Sequence, residues 1–209
     1  MKPKRFVVGL TGGIGTGKSS ALAEFERLGA ATVSLDQIAR EQARPGREGY
    51  KAIVRDFGER ILKKGGAIDR RLLGRLVFND KKARTGLEKA THTLILREMK
   101  KLVGRMNGVV VVDVPLLFEK KLQRHFDATI LISCKSQKQL KRILDRDNIT
   151  PAQARQRILA QWPLAKKRAL ADVVIDNDSG LRQLSIRIRS YHAGLQLLYG
   201  GTPNGNTHS

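Results

Sequence analysis

Cysteine, aromatic residues and long apolar runs are all scarce in this chain. A single cysteine, Cys134, excludes an internal disulfide framework, and its place after an apolar run favours a small buried residue over a reactive thiol. Aromatic residues make up 5% of the chain and do not interleave with basic ones, so a base-stacking platform is not indicated. No apolar run approaches the ~20 residues that span a bilayer, which predicts a cytoplasmic protein without a membrane partner.

Acidic residues are also few, with 19 Asp and Glu against 40 Lys and Arg and a formal net charge of +21. The imbalance is greatest between residues 135 and 168, where ten basic side chains meet two aspartates. A positive field of this kind attracts nucleic acid or phosphate-rich small molecules, and it also arises from a generally basic surface. Because aromatic and basic residues do not alternate, we expect small phosphorylated ligands and no nucleic-acid partner.

Residues 12–19 carry the clearest functional signal, because GGIGTGKS fits the phosphate-binding pattern G-x-x-x-x-G-K-[ST]. An apolar strand candidate at residues 5–10 precedes them, and an amphipathic helix candidate at residues 20–28 follows. Glycines let successive N–H groups turn toward phosphate oxygens, while a helix N-terminus adds partial positive charge. Lys18 can reach the β- and γ-phosphates, and the Ser19 hydroxyl can bind Mg²⁺. The segment predicts a nucleoside triphosphate site formed by Gly12, Gly13, Gly15, Thr16, Gly17, Lys18, Ser19 and Ser20.

Apolar strand candidates alternate with helical patterns along the chain. They lie at residues 5–10, 32–35, 109–113, 128–133 and 173–175. Near-continuous apolar strands predict an α/β fold with a parallel sheet covered on both faces. The interval of about 37–107 has no clear strand, which predicts a helical lobe inserted into a single domain of residues 1–199. Residues 200–209 are rich in Gly, Asn and Thr and predict a disordered tail.

Two aspartates follow strand candidates, at the edge where a parallel sheet binds its ligands. Asp113 ends the run VVVVD, and it either holds Mg²⁺ beside Ser19 or caps a helix or turn. Asp36 follows the second strand candidate, and it aligns or deprotonates an acceptor hydroxyl, serves as the N-cap of the next helix, or does both. The residues alone leave both pairs of alternatives open.

Arg142, Arg146 and Asp147 stand on or just after a helix candidate, ahead of a new helix near Pro151. This arrangement is typical of a lid whose guanidinium groups stabilise charge on a transferred phosphoryl group. A solvated basic helix fits the same pattern. His92 has no second histidine at metal-ligand spacing, so we expect it to be structural or to bind substrate.

The order of these motifs resembles the dephospho-coenzyme A kinase family over about residues 6–199. The glycine loop is shared by many proteins, whereas PLLFE and the paired AD and IDN motifs are much more specific. The chain departs from the family at Ser34 and Thr93, where the family often has Asp and Pro. The matching segments are LTGGIGTGKS at 10–19, LDQIAR at 35–40 with Pro45-Gly46, His92, DVPLLFE at 113–119, QLKR at 139–142, Arg146-Asp147 with Thr150, Arg157-Ile158 with Gln161, AD at 171–172 and IDN at 175–177.

This resemblance implies a three-layer P-loop kinase fold with a five-stranded parallel sheet, an inserted helical substrate lobe and a small lid at about residues 142–165. It implies ATP as co-substrate, Mg²⁺ as cofactor and dephospho-CoA as the acceptor, which is phosphorylated on its ribose 3′-hydroxyl. In the family pattern, Asp36 matches the proposed base, Arg40 and His92 lie on the acceptor side, Arg146 matches the lid and Asn177 lies where adenine is held.

Two other functions are compatible with the glycine loop taken alone. Another small-molecule kinase of the same architecture would act on a different acceptor, and the family-specific motifs argue against it. A nucleic-acid-binding ATPase would show hydrolysis that nucleic acid stimulates. A GTPase is disfavoured because the sequence contains no N-K-x-D motif.

Overall fold

The computed structural model describes residues 5–199, apart from the side chains of Phe78, Asn79 and Lys81. The tail predicted at residues 200–209 lies outside the described residues. No helix within residues 5–199 is both long enough and apolar enough to cross a membrane. The strands are β1 (Arg5–Gly12), β2 (Ala31–Ser34), β3 (Gly108–Asp113), β4 (Ala128–Ser133) and β5 (Val173–Asp176). The helices are α1 (Lys18–Arg27), α2 (Leu35–Gln42), α3 (Glu48–Phe57), α4 (Arg70–Asn79), α5 (Lys81–Val103), α6 (Ser136–Asp147), α7 (Pro151–Leu159), α8 (Leu164–Arg168) and α9 (Leu181–Tyr199).

The strands form one sheet with the order β2-β3-β1-β4-β5. Strand β1 pairs in parallel with β3 on one side and with β4 on the other, and β4 pairs in parallel with β5. The five strand candidates and the predicted α/β fold with a parallel sheet are confirmed. Because the strand order reverses at β1, the carboxyl end of β1 lies where sheets of this kind bind ligands.

The sheet is covered on both faces because neighbouring residues of its buried strands point to opposite sides. On one face, Val8 and Ile132 belong to an apolar cluster with Phe25 of α1 and with residues of α9. On the other face, Gly9 allows the segment after β3 to approach closely. A Cβ at Gly9 would lie 2.7 Å from the side chain of Leu117. The central strand therefore has a packed layer on each side.

The chain divides into two compact units. One contains the residues up to Val33 and those from Met106 onward, and it includes β1, β3–β5, α1 and α6–α9. The other is Ser34–Arg105, in which α5 packs against α2, α3 and α4 around a cluster that includes Ile53 and Phe57. The interpretation of residues 37–107 as a substrate lobe and of residues 142–165 as a lid stays a prediction.

Short polar side chains begin several of the helices. The Asp69 carboxylate accepts hydrogen bonds from two N–H groups at the start of α4, and Asp80 does the same for α5. Helix α7 begins with a capping box between Thr150 and Gln153, with Pro151 in its first turn. These side chains satisfy N–H groups that a helix leaves unpaired, which explains why the helices begin where they do.

Candidate functional site

The glycine loop leaves the central strand and turns directly into a helix, since β1 ends at Gly12 and α1 begins at Lys18. Gly15 and Gly17 have φ values of 76° and 95°, a conformation that residues with a side chain rarely adopt. The N–H groups of Gly15, Gly17, Lys18 and Ser19 donate to no residue in the described part of the chain. Unpaired N–H groups at a helix N-terminus form a cradle suited to an anion.

Side chains from distant parts of the chain bind the carbonyl groups of this loop. Gln139 Nε2 of α6 donates to the Ile14 carbonyl over 2.7 Å. Asn177 Nδ2 donates to the Thr16 carbonyl over 2.9 Å, and Arg142 donates to the same oxygen over 3.4 Å. These contacts satisfy the acceptors of the loop and leave its N–H groups available on the anion-binding side.

Close packing against neighbouring segments explains why three positions of the loop need glycine. A Cβ at Gly13 would lie 2.8 Å from Gln139 Nε2, and one at Gly15 would lie 2.9 Å from the Gln139 carbonyl oxygen. A Cβ at Gly17 would overlap the side-chain amide of Asn177. The glycines therefore allow helix α6 and the end of β5 to contact the loop backbone directly.

Lys18 and Asp113 form an ion pair between the loop and the neighbouring strand. Asp113 is 8% exposed, and it stands beside the loop because the register of β1 and β3 pairs it with Leu10. Ser19 and Ser20 are exposed in the first turn of α1. The Ser19 hydroxyl and the Asp113 carboxylate supply oxygen donors of the kind that Mg²⁺ prefers. Among residues 5–199, no group of three or more His, Cys, Asp or Glu side chains is arranged to hold a metal by itself.

Asn177 is 1% exposed and lies at the junction of the loop, β4 and α6. Its N–H donates to the Ser133 carbonyl over 2.7 Å, and its own carbonyl accepts from Arg142 over 2.8 Å. Its Oδ1 atom has no hydrogen-bond partner within the described residues. The structure thus gives Asn177 a role in holding the loop, and its predicted contact with adenine stays a prediction.

Arg146 lies in the last turn of α6 and binds the Asp147 carboxylate through Nε at 2.6 Å and a terminal nitrogen at 3.0 Å. Arg157 of α7 donates to the same carboxylate over 2.6 Å. The hydrogen bond between Arg146 and Asp147 lowers the pKa of the carboxyl group and raises the pKa of the guanidinium. One aspartate therefore holds two largely exposed guanidinium groups together in the basic segment.

A buried ion pair lies at the end of the PLLFE run. Lys167 Nζ is 2.6 Å from Glu119 Oε1, and the Lys167 side chain is 0% exposed. The backbone N–H of Trp162 donates to the same Glu119 oxygen over 3.2 Å. Lys166 Nζ lies 3.6 Å from the centre of the Trp162 ring. These contacts attach the segment after α7 to the segment after β3.

Within the unit Ser34–Arg105, Asp36 and Arg40 line a cleft of about 570 Å³ together with Arg44 and Arg70. The N-cap of α2 is Ser34, whose hydroxyl accepts a backbone N–H, so the interpretation of Asp36 as the N-cap is wrong. The Asp36 carboxylate is exposed and makes no hydrogen bond or ion pair with a described residue. It is therefore an acid without a structural partner beside several guanidinium groups.

His92 is half-buried on α5, and its ring has no hydrogen-bond partner within residues 5–199. It belongs to the same compact unit as Asp36 and Arg40, so the three residues predicted on the acceptor side share one unit. The residues predicted on the nucleotide side belong to the other unit, namely the glycine loop, Asp113, Arg146 and Asn177.

Reasoning from the sequence missed the contributions of Gln139, Gln161 and the pair formed by Glu119 and Lys167. The sequence contained one sign for Gln139, because this polar residue stands four positions before Ile143 and therefore on the same, buried face of α6. A buried amide requires hydrogen-bond partners. The spacing does not reveal that the partner of Gln139 lies 125 positions earlier.

Comparison with known proteins points to one family. The family model described as "CoaE: Dephospho-CoA kinase" matches residues 6–183. The dephospho-CoA kinase of Geobacillus kaustophilus is 41% identical over 175 residues, which cover 82% of this chain and 87% of that protein. The dephospho-CoA kinase of Geobacter sulfurreducens is 39% identical over 191 residues, which cover 90% and 97%. A solved structure of dephospho-CoA kinase from Campylobacter jejuni is 30% identical, with a TM-score of 0.66, and the match covers 91% of this chain and 98% of that one.

Proposed function

Because the chain belongs to the dephospho-CoA kinase family, we propose that it transfers the γ-phosphoryl group of ATP to the ribose 3′-hydroxyl of dephospho-CoA. The products are CoA and ADP, and the reaction is the last step of coenzyme A synthesis. The glycine loop carries this proposal. Its unpaired N–H groups at Gly15, Gly17 and Lys18 face no protein acceptor within the described residues, which suits the oxygens of a triphosphate.

The donor side relies on a loop whose shape is set before ATP binds. The Lys18 ammonium stays beside the loop through its ion pair with Asp113, and it would neutralise the β- and γ-phosphates. Arg142 and Asn177 hold the Thr16 carbonyl. Since these groups already occupy their positions, little reorganisation accompanies the development of negative charge.

The acceptor side is proposed to rely on Asp36. The 3′-oxygen of the acceptor forms a bond to the γ-phosphorus, and the bond from that phosphorus to the oxygen bridging the β-phosphate breaks. The Asp36 carboxylate takes the proton of the hydroxyl. Its exposure and its lack of a partner among the described residues support this role, while Arg40 and His92 are proposed to bind the acceptor.

Mg²⁺ is proposed as the cofactor, because Ser19 and Asp113 supply oxygen donors beside the phosphate cradle. When bound there, the ion would neutralise charge on the phosphate oxygens. Lys18 already contacts Asp113, so the Asp113 carboxylate would be the counterion of both the ammonium and the bound Mg²⁺. That arrangement suits a site that receives a polyanion.

The remaining assignments concern larger segments. We propose that residues 37–107 bind the acceptor and that residues 142–165 act as a lid, from which Arg146 stabilises charge on the transferred group. The basic segment 135–168 would attract both polyanionic substrates, and no nucleic-acid partner is proposed. The proposed compartment is the cytoplasm.

A coupled assay of ADP release tests the proposal across dephospho-CoA, AMP, shikimate, gluconate and RNA. We expect stimulation by dephospho-CoA, and we expect Lys18→Ala to lose most turnover at saturating ATP because the phosphates lose their cation. Lys64→Ala, which changes an exposed lysine in a turn, is the control and should behave as wild type. Stimulation by RNA or by another small acceptor alone would contradict the assignment.

A further inference from the structure

Two glutamine side chains bind the backbone of the same residue in the phosphate loop. The Ile14 N–H donates to Gln161 Oε1 over 2.9 Å, and the Ile14 carbonyl accepts from Gln139 Nε2 over 2.7 Å. Both polar groups of this residue are therefore held by side chains rather than by the backbone. Neither glutamine has a part in the transfer chemistry proposed above.

The two glutamines flank residues 140–160, inside the basic segment 135–168. Gln139 lies in α6, and Gln161 follows α7. Residues 140–160 lie between them and carry Arg146 and Arg157 with their shared partner, Asp147. Both ends of this segment are thus attached to one residue in the middle of the phosphate loop.

Each glutamine is itself fixed in place. Gln139 is 4% exposed, and its amide packs so closely on the loop that a Cβ at Gly13 would lie 2.8 Å from Nε2. Gln161 is followed by Trp162, whose N–H donates to Glu119 over 3.2 Å. A shift of the Ile14 backbone must therefore either break a hydrogen bond in a partly buried site or move the attached segment with it.

From these contacts we infer that Gln139 and Gln161 are positioning residues that transmit nucleotide binding at the loop to residues 140–160. The inference rests on the proposed function, because it requires a nucleotide to bind the loop N–H groups. Phosphate oxygens bound to the N–H groups of Gly15 and Gly17 restrain the peptides next to Ile14, and the two amides pass that restraint to both ends of the segment. Arg142 already contacts the loop, whereas Arg146 and Arg157 take up their positions for phosphoryl transfer only when nucleotide is bound.

The chain offers a probe for this coupling, since Trp162 is its only tryptophan and directly follows Gln161. The test variants are Gln139→Met and Gln161→Met, which keep an unbranched side chain and remove the amide. The matched controls are Gln137→Met and Gln156→Met, which change exposed glutamines on α6 and α7. Each protein is titrated with ATP and Mg²⁺, and tryptophan fluorescence and calorimetric binding are recorded on the same samples.

In the wild type and both controls, we expect ATP to change the fluorescence of Trp162. In the Gln139 and Gln161 variants, we expect at least half of that change to be lost while ATP affinity stays within about tenfold of wild type. Turnover should fall about tenfold or more in kcat, with a smaller change in the KM for dephospho-CoA, because the loop and the basic segment lose their relative positions. If a glutamine only stabilised the fold, its variant would lose ATP binding and the fluorescence change together.

Urea denaturation shows whether each variant folds. If a methionine variant does not fold, Gln139→Asn or Gln161→Asn replaces it, since the shorter amide keeps polarity but does not reach Ile14. Variants that bind ATP and retain the full fluorescence change would overturn the inference, as would a wild type whose Trp162 does not respond to bound ATP. The fluorescence and binding measurements use ATP without acceptor, so they remain decisive even if the assignment of dephospho-CoA fails.

Discussion

Removing one charge of the buried pair between Lys167 and Glu119 should destabilise the protein strongly. Lys167→Met deletes an ammonium that is 0% exposed and leaves the Glu119 carboxylate, 11% exposed, without its counterion. At an effective dielectric constant of ~20, charges 2.6 Å apart attract by about 6 kcal/mol, and desolvation of both ions offsets most of this. When one partner is removed, the attraction is lost, but the free-energy cost of burying the remaining charge stays. We expect the free energy of unfolding to fall by about 3–5 kcal/mol.

A double-mutant cycle separates the charges from the packing. Glu119→Gln keeps an oxygen that can accept from the Trp162 N–H, but it leaves the Lys167 ammonium buried alone and should be about as destabilising as Lys167→Met. The double variant removes both charges and keeps that hydrogen bond. We expect its stability to lie within about 1 kcal/mol of wild type. Urea denaturation followed by circular dichroism supplies the midpoint and slope for each protein.

Lys166→Met is the matched control, because it makes the same substitution one residue earlier at an exposed site. It loses a cation–π contact with Trp162, for which we expect about 0.5–1 kcal/mol. The reasoning is refuted if Lys167→Met is no more destabilising than this control. It is also refuted if the double variant loses the sum of the two single losses, because the charges would then act independently.

Three further predictions follow from local contacts. Gly15→Ala and Gly66→Ala both place a methyl group at a φ of 76°, but only at Gly15 would it meet the backbone of α6, at 2.9 Å. Gly15→Ala should therefore lower the free energy of unfolding by about 1–3 kcal/mol more than Gly66→Ala in urea denaturation, and equal losses would contradict the packing argument. Hydrogen bonds from Arg27, Ser185 and Arg189 together lower the pKa of Glu24 from 4.5 to about 2, so the stabilisation is complete above pH 4.5 and disappears as the pH falls toward 2. Thermal denaturation should show Glu24→Gln to be less stable by about 1 kcal/mol at pH 7 and equal to wild type near pH 2. Asp36→Asn should lower kcat by about 10²–10⁴-fold without changing ATP affinity in calorimetry, whereas loss of ATP binding would indicate a structural or metal-linked role.

The strands could be predicted because a strand buried on both faces is a continuous apolar run, such as the four valines that precede Asp113 in β3. Their order in the sheet could not, since pairing between β1 and its neighbours depends on tertiary contacts. The start of α2 illustrates a local error. Ser34 has an extended backbone with φ −110° and caps the helix, so Asp36 lies two residues too late to do so.

The phosphate loop could be predicted because its geometry is encoded in adjacent residues. The groups that hold it could not, because Gln139 and Gln161 lie 125 and 147 positions away from Ile14. The helical spacing of Gln139 and Ile143 indicates a buried amide, but it does not indicate which backbone group that amide binds. Only the fold shows that both amides reach the same residue.

These contacts also bear on how a chain with a net charge of +21 would position the polyanion proposed as its substrate. The loop is shaped by the amides of Gln139, Gln161 and Asn177, whereas Lys18 supplies a cation within the loop itself. Amide contacts are short-ranged and respond little to ionic strength. The field of residues 135–168 is screened beyond a Debye length of about 8 Å at physiological ionic strength. Salt should therefore weaken the capture of substrates more than the geometry that receives them, because attraction and positioning depend on different side chains.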